Sequence, residues 1–479
     1  MKRLEKLFDI YMIMFFTLVL IVNIYFVYVA KINILYIIPV SIAFGILYFI
    51  TVKSRSKYFE WLLFLFALFN KLLMIFIIKT PPISDFSVLL NASKLAAVGN
   101  YSFKNWDYFA RWEYQSGFVI YQGFLIKLFG ENIMILKAIN CLCIAFTTLL
   151  VYKIGEILFG EYAGKIAGLI HSVYIPLFIF APVLTNQHIA TVFYYLALYF
   201  IVKKEENKPY RKWIISGICL ALGNLLRPIG IVFVMAICIL CLFSIFKYDD
   251  KKAAAYRSII KLGFLLASYF IIFYSVCSIL IVVNITETGL KNNNPYWKFV
   301  TGLNEKTSGR FSFEDAQIIY NSVSIDELKQ KEKDIIVERL KIPPHRMCKL
   351  LFNKVRYMWG DYEAGVFTFP HLLNKGIIRW GYSFDSIFRQ IQEFEKMFYI
   401  IIICLVLYGL INYYKEKDQN SYVKLLYYIV TIYSGIHLLI EISFRYKYAM
   451  MGIIFILAGK GGELLITKIN NNKNNLQKV

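Results

Sequence analysis

The sequence is short of charge. Asp, Glu, Lys and Arg make up 18% of its 479 residues, against about 25% in a typical soluble protein. Only five histidines occur, scattered without metal-ligand spacing. There is no Walker loop, no GxSxG elbow and no HExxH pair, so nucleotide-driven transport and zinc hydrolysis have no support. Seven of the eight cysteines (Cys141, Cys143, Cys219, Cys238, Cys241, Cys277 and Cys404) lie in apolar stretches and only Cys348 in a polar one, which excludes a disulfide framework. No repeat of fixed period is present, which speaks against a transporter built from symmetric halves. The first apolar run has no small-residue cleavage site and is expected to stay as a membrane helix.

What the chain has is apolar surface. It is 58% hydrophobic and 18% aromatic, with a mean hydropathy of +0.56. That excludes an ordinary cytosolic enzyme and a disordered chain, and it indicates an all-α polytopic membrane protein. Twelve runs suit transmembrane helices: 8–30, 33–52, 60–79, 132–152, 164–181, 187–203, 213–226, 229–246, 262–284, 397–413, 422–440 and 446–463. Arg227-Pro228 breaks the seventh from the eighth, because proline denies the preceding turn a hydrogen bond.

The net charge of +22 is read through topology. One set of loops, including both termini, carries 24 Lys and Arg, and the short loops of the other set carry 4. The positive-inside rule puts both termini in the cytoplasm. No basic stretch forms a soluble domain of its own, so nucleic acid is not an expected partner. Residues 80–131 and 285–396 then form two external helical segments. The chain divides into an extra N-terminal pair of spans (1–59), a transmembrane core with the first external loop (60–284), the large external segment (285–396), and C-terminal spans with a cytoplasmic tail (397–479).

In the first external segment, Ser84 is placed to cap a helix with Asp85 in its first turn, running to Val98 and stopped by Gly99. A second helix, near 117–129, is apolar enough to lie in the membrane surface. In the second segment, Ser324 with Glu327 forms a capping box for a helix to Leu340. Pro343-Pro344 restarts the chain. Met347, Leu350, Leu351, Val355 and Met358 follow on one face, with Arg346, Lys349, Lys354 and Arg356 over the rest. Such a basic amphipathic helix is expected at anionic headgroups.

Asp85 is the leading candidate for chemistry: a carboxylate at the water–lipid boundary, able to take a proton from an acceptor hydroxyl. As a helix-start charge it would be structural only. Asp107 and Glu113 read as solvated loop charges, although Asp107 and Tyr108 lie where an acceptor or sugar could be contacted. Arg227 is either a snorkelling side chain or a phosphate partner. Glu441 and Arg445 pair at i,i+4 if their helix continues, or else Arg445 faces the cavity of Asp85. His188, near the outer mouth of a span, is the one histidine of interest, and Lys71 is a charge within a span with no assigned role.

The order of these features resembles the GT-C glycosyltransferases of the protein O-mannosyltransferase and lipid A aminoarabinose transferase superfamily, in its bacterial family-39-like branch. The resemblance is carried by Pro82-Ile83-Ser84-Asp85-Phe86, Gly99-Asn100-Tyr101, Gly117-Phe118, Tyr121, Lys127-Leu128-Phe129-Gly130, Asn140, Leu226-Arg227-Pro228 and Arg445-Tyr446, within residues 60–463. It implies transfer of a sugar from a polyprenyl-phosphate-linked donor to an acceptor hydroxyl outside the membrane, generally with inversion. The acidic residue of the first external loop is catalytic in such families, and Asp85 holds that position. Many members have Asp-Glu there, whereas this chain has Asp85-Phe86.

On that reading Arg227, Arg445, Lys349 and Arg356 bind donor phosphate, while Asp107, Tyr108, His188 and Glu441 contact the acceptor or sugar. No cofactor and no metal ligand set is predicted, although a divalent cation is compatible. The expected partners are the polyprenyl-phosphate-linked sugar, membrane lipid, and a glycan, lipid or protein acceptor. The alternatives are a surface-polysaccharide polymerase or ligase, which leaves Asp85 unexplained, and a transporter or flippase. Lys-, Ile- and Asn-rich usage suggests an AT-rich genome and a bacterial cell membrane.

Overall fold

The computed structural model describes residues 2–54, 56–77, 80–204, 210–245, 251–320, 322, 324–362, 384–416 and 419–476. Each of the twelve apolar runs is mainly helical over its described residues. The helices are α1 (Lys2–Val29), α2 (Ile37–Lys53), α3 (Ser56–Ile77), α7 (Ile133–Phe159), α8 (Glu161–Val173), α9 (Ile175–Phe180), α10 (Gln187–Val202), α11 (Arg211–Leu226), α12 (Gly230–Ile245), α13 (Lys251–Val282), α18 (Phe384–Lys415), α19 (Ser421–Leu439) and α20 (Tyr448–Leu476). Eight helices among the described residues are long and apolar enough to cross a membrane. The other four of the twelve runs are shorter and sit together in the middle of the chain, as α8–α9, α10, α11 and α12.

One expected span is broken. The run 164–181 divides at Tyr174 into α8 and α9, because Pro176 has no N–H to offer the carbonyl four residues earlier, that of Ser172. Lys71, in α3, supplies the missing donor. Its Nζ lies 2.7 Å from Ser172 O, and the Asn70 side-chain amide donates to the same oxygen at 3.1 Å. A charge that costs about 2.5–3.5 kcal/mol at the bilayer centre is thus set against an orphaned carbonyl. The break expected at Arg227-Pro228 is present, between Leu226 and Gly230.

The core lies between α7, α8, α10, α18, α19 and α20, where Tyr152, Tyr194, Tyr195, Tyr427 and Phe455 are fully buried. Small residues let these helices approach closely. A Cβ at Gly461 would lie 2.0 Å from Leu405 O, and one at Gly459 2.3 Å from Ala163 O, so α20 is held between α8 and α18. The N-terminal helix α1 packs on α18 and α19 and reaches an external helix, where its Asn23 amide donates to Trp359 O at 3.0 Å.

The helices of the two segments expected outside the membrane are α4 (Asp85–Ala97), α5 (Asp107–Arg111), α6 (Ser116–Phe129), α14 (Trp297–Gly302), α15 (Phe313–Tyr320), α16 (Ile325–Leu340) and α17 (Pro344–Gly360). Gly99, at φ +77°, ends α4 as expected, and Ser324 caps α16 by accepting from Glu327 N at 3.2 Å. On α6, Phe124, Leu128 and Phe129 are exposed, an apolar edge suited to a membrane surface.

Three expectations about side chains are corrected. Ser84 does not cap α4 with its hydroxyl; it sits at φ +50°, and its carbonyl accepts from Ser87 Oγ at 2.8 Å. Glu113 is buried rather than solvated. Its carboxylate accepts from Thr288 N at 3.1 Å, from Glu287 N and from the Thr288 hydroxyl, which ties the first external segment to the second. Lys354 is buried as well, because it is one helical turn from both Leu350 and Met358 and shares their inward face.

Candidate active site

The site forms where the turn after α19 meets α14 and the first external segment. The backbone leaves the helix after Leu439, and Phe444–Lys447 makes a short 3-10 turn. Glu441 and Arg445 therefore do not form the i,i+4 pair that a continuing helix would give. Glu441 instead pairs with Lys298, on α14, and Glu441 N donates to Lys298 O at 2.7 Å. A Cβ at Gly302 would lie 2.3 Å from Ile440 C, so glycine is what allows α14 to sit against this turn.

Tyr446 is at the centre. Lys298 donates to its hydroxyl at 3.2 Å, and that hydroxyl donates to Glu441 at 3.2 Å. Three cations surround its ring: Lys298 Nζ at 5.5 Å from the centroid, and the guanidinium carbons of Arg227 and Arg445, both at 5.8 Å. Each is within cation–π range. The Tyr446 carbonyl accepts from Tyr433 OH at 2.6 Å.

The arginines are held from behind. Arg227 Nη1 donates to Asn186 Oδ1 at 3.2 Å, and the Asn186 amide donates to Leu226 O and to Gln115 Oε1. Tyr194 OH donates to the carbonyl of Arg227, while Gln187 donates to that of Arg445 at 2.9 Å. Arg445 also lies 5.4 Å from the ring of Phe86, the residue after Asp85.

Charge links Asp85 to this group. Asp85 is exposed at the head of α4. Burial raises the Tyr108 phenol far above its ordinary range; the Asp85 charge adds to the rise, and Lys298 and Arg445 oppose it. Tyr114 is raised by burial as well, with Lys298 and Arg227 opposing and Asp85 contributing. Burial alone would lower the Lys298 amine, but Glu441 and the neighbouring tyrosines raise it on balance. Both phenols and the ammonium thus keep their protons at neutral pH.

Of the residues singled out from sequence, Arg227, Glu441 and Arg445 meet at Tyr446, and the charge of Asp85 is felt at Tyr108 and Tyr114. Asp107 does not join them: its side chain is 89% exposed, with Arg111 at 3.8 Å. On α17, Lys349 is exposed and Arg356 packs over Tyr357 at 4.6 Å. His188 is buried behind the site, with Nδ1 2.7 Å from Tyr448 OH and Nε2 3.1 Å from Phe180 O. His371 lies outside the described residues. The site residues that sequence reasoning passed over are Lys298 and Tyr114, while Tyr446 stood in the Arg445-Tyr446 pair without a role of its own. Of the first two, only Lys298 left a trace, as a lysine among aromatics in Tyr296-Trp297-Lys298-Phe299. Among the described residues no group of three or more His, Cys, Asp or Glu side chains could hold a metal.

Two small apolar hollows flank the Phe86–Arg445 contact. One is lined by Tyr174, Pro176, Leu177, Phe180, Tyr448 and Met451, with Arg445 at its polar edge. The other lies along Thr80–Ile83, Phe86 and Pro182–Leu184.

A multi-pass helical membrane protein with a cluster of cations around Tyr446 is the class these observations define. Residues 118–279 match the family described as dolichyl-phosphate-mannose-protein mannosyltransferase. That match supports the resemblance to the GT-C membrane glycosyltransferases. A similar solved structure is ArnT from Cupriavidus metallidurans bound to undecaprenyl phosphate, at 10% identity, covering 85% of this chain and 78% of that one with a TM-score of 0.40. No curated protein matches the chain.

Proposed function

We propose that the protein transfers a sugar from a polyprenyl-phosphate-linked donor to an acceptor hydroxyl at the outer face of a bacterial cell membrane, with inversion. Both termini are cytoplasmic on this reading, and residues 80–131 and 285–396 are outside. The observation that carries it is the set of three cations around Tyr446, with one neutralising carboxylate, and the apolar side chains next to Arg445. That is the chemistry of a phosphate with a hydrocarbon tail.

In the reaction, the acceptor oxygen attacks the anomeric carbon, the bond from that carbon to the phosphate oxygen breaks, and the acceptor proton passes to Asp85. Negative charge grows on the departing polyprenyl phosphate. Arg227, Lys298 and Arg445 are fixed beforehand where that charge appears, which is the most effective form of electrostatic catalysis. Asp85 acts from the opposite side as general base. Tyr108, whose phenol feels both the Asp85 charge and the cations, serves on this reading as a neutral donor to a sugar or acceptor oxygen.

The test is transfer from a panel of radiolabelled polyprenyl-phosphate sugars into membrane lipid, glycan and protein fractions by the purified protein. Transfer in wild type and its loss in Asp85→Asn support the reading. No transfer from any donor, or full activity in Asp85→Asn, overturns it.

A further inference from the structure

Lys354 lies on α17, outside the spans, with its Nζ fully enclosed. Its three N–H groups meet three backbone carbonyls: Gly302 O at 2.8 Å, Leu438 O at 2.7 Å and Ile440 O at 2.9 Å. Gly302 ends α14, while Leu438 and Ile440 end α19, so one side chain closes the C-termini of two helices. These ends carry the site: Lys298 is one turn before Gly302, and Glu441 directly follows Ile440. The seam continues where Ile442 N donates to Gly309 O at 2.9 Å. Gly309 passes so close that a Cβ there would lie 2.8 Å from Lys354 Cε.

We infer that Lys354 is a positioning residue for the anion site, its ammonium fixing the turn that carries Glu441, Arg445 and Tyr446 against α14. It touches no substrate. Removing the ammonium leaves three buried carbonyls without this donor and frees the turn to leave Lys298. The cations around Tyr446 then lose their common geometry. What the site binds rests on the function proposed above; that Lys354 sets its shape does not.

The experiment follows both on the full-length protein in detergent. Hydrogen exchange of the peptide covering 438–447 reports the turn, and binding of undecaprenyl phosphate reports the site. Lys354→Met is expected to speed exchange at Glu441 and Ile442 about tenfold or more and to weaken binding by a similar factor. Lys354→Arg, which keeps charge and donors, is expected to stay within about threefold of wild type in both. If Lys354→Met does not accumulate, Lys354→Gln, which keeps two donors, takes its place with a smaller shift in the same direction. Unchanged exchange in the methionine or glutamine variant overturns the inference. A wild-type protein that binds no undecaprenyl phosphate while Lys354→Met still loosens the turn overturns the phosphate reading and supports the positioning role.

Discussion

Arg227 and Arg445 approach the Tyr446 ring to the same distance, 5.8 Å, from widely separated parts of the chain. Arg227 comes from the break between two helices, and Arg445 from the turn between α19 and α20. Two guanidiniums converging on one aromatic ring, with their backbone carbonyls each held by a hydrogen bond, form a fixed cationic pair.

Loss of either arginine should act on the donor. Arg227→Ala and Arg445→Ala are each expected to raise the donor KM by about 10- to 100-fold, the scale of a charge-assisted hydrogen bond, with a smaller change in acceptor KM. Asp107→Asn serves as the comparison and should remain within about twofold, since Asp107 is exposed away from the group. Steady-state kinetics with donor and acceptor varied in turn checks this, and equal effects on both substrates would contradict the phosphate role.

Asp85→Asn is expected to lower the transfer rate by about 10²- to 10⁴-fold, the range of general-base catalysis. The thermal midpoint should barely move, because Asp85 is an exposed helix-start residue. Ser84 before it is held at φ +50°, a strained position costing about 1–3 kcal/mol. Ser84→Gly should therefore stabilise the protein slightly in the same denaturation assay while reducing transfer.

Glu113 holds the two external segments together. Glu113→Ala leaves the Glu287 and Thr288 amides and the Thr288 hydroxyl without this acceptor, which is expected to cost roughly 2–4 kcal/mol. Glu113→Gln should recover part of that. Thermal unfolding in detergent gives the order wild type, glutamine, alanine; an alanine variant as stable as wild type would contradict the clamp.

Glu332, on α16, is fully enclosed, and burial raises its carboxyl to about 7, with Asn294 and Arg111 opposing. The folded value lies above the ordinary 4.5, so the folded chain keeps this proton over a range in which the unfolded chain has lost it. The stability linked to the proton is complete below pH 4.5 and is lost as pH rises through about 7. Glu332→Gln should flatten that part of the profile and raise stability at pH 8. Thermal midpoints of both proteins from pH 4.5 to 8 check it, and parallel profiles would contradict the assignment.

Much of the architecture was readable in the residues themselves. The apolar runs became helices, Gly99 and Ser324 ended and began theirs, and Arg227-Pro228 broke one, because each effect is local. The site was half readable. Asp85, Arg227 and Arg445 stand out as charges at the edges of apolar runs. The pairing of Lys298 with Glu441, across 143 positions, is a tertiary fact with no local cause. Glu113 reads as a loop charge until its acceptor role to a distant loop is seen. Lys354 shows the opposite failure: its spacing from Leu350 and Met358 put it on the inward face, and its charge argued wrongly for the outer one.

The lysine at Ser172 bears on how the chain enters the bilayer. By itself α3 carries an unmatched ammonium into lipid, and α8–α9 by itself carries a carbonyl that proline has stripped of its donor. Each defect repairs the other. The lower-energy route is for α3 and α8–α9 to be inserted side by side, which makes assembly of this half of the protein a coupled event rather than a sequence of independent helix insertions.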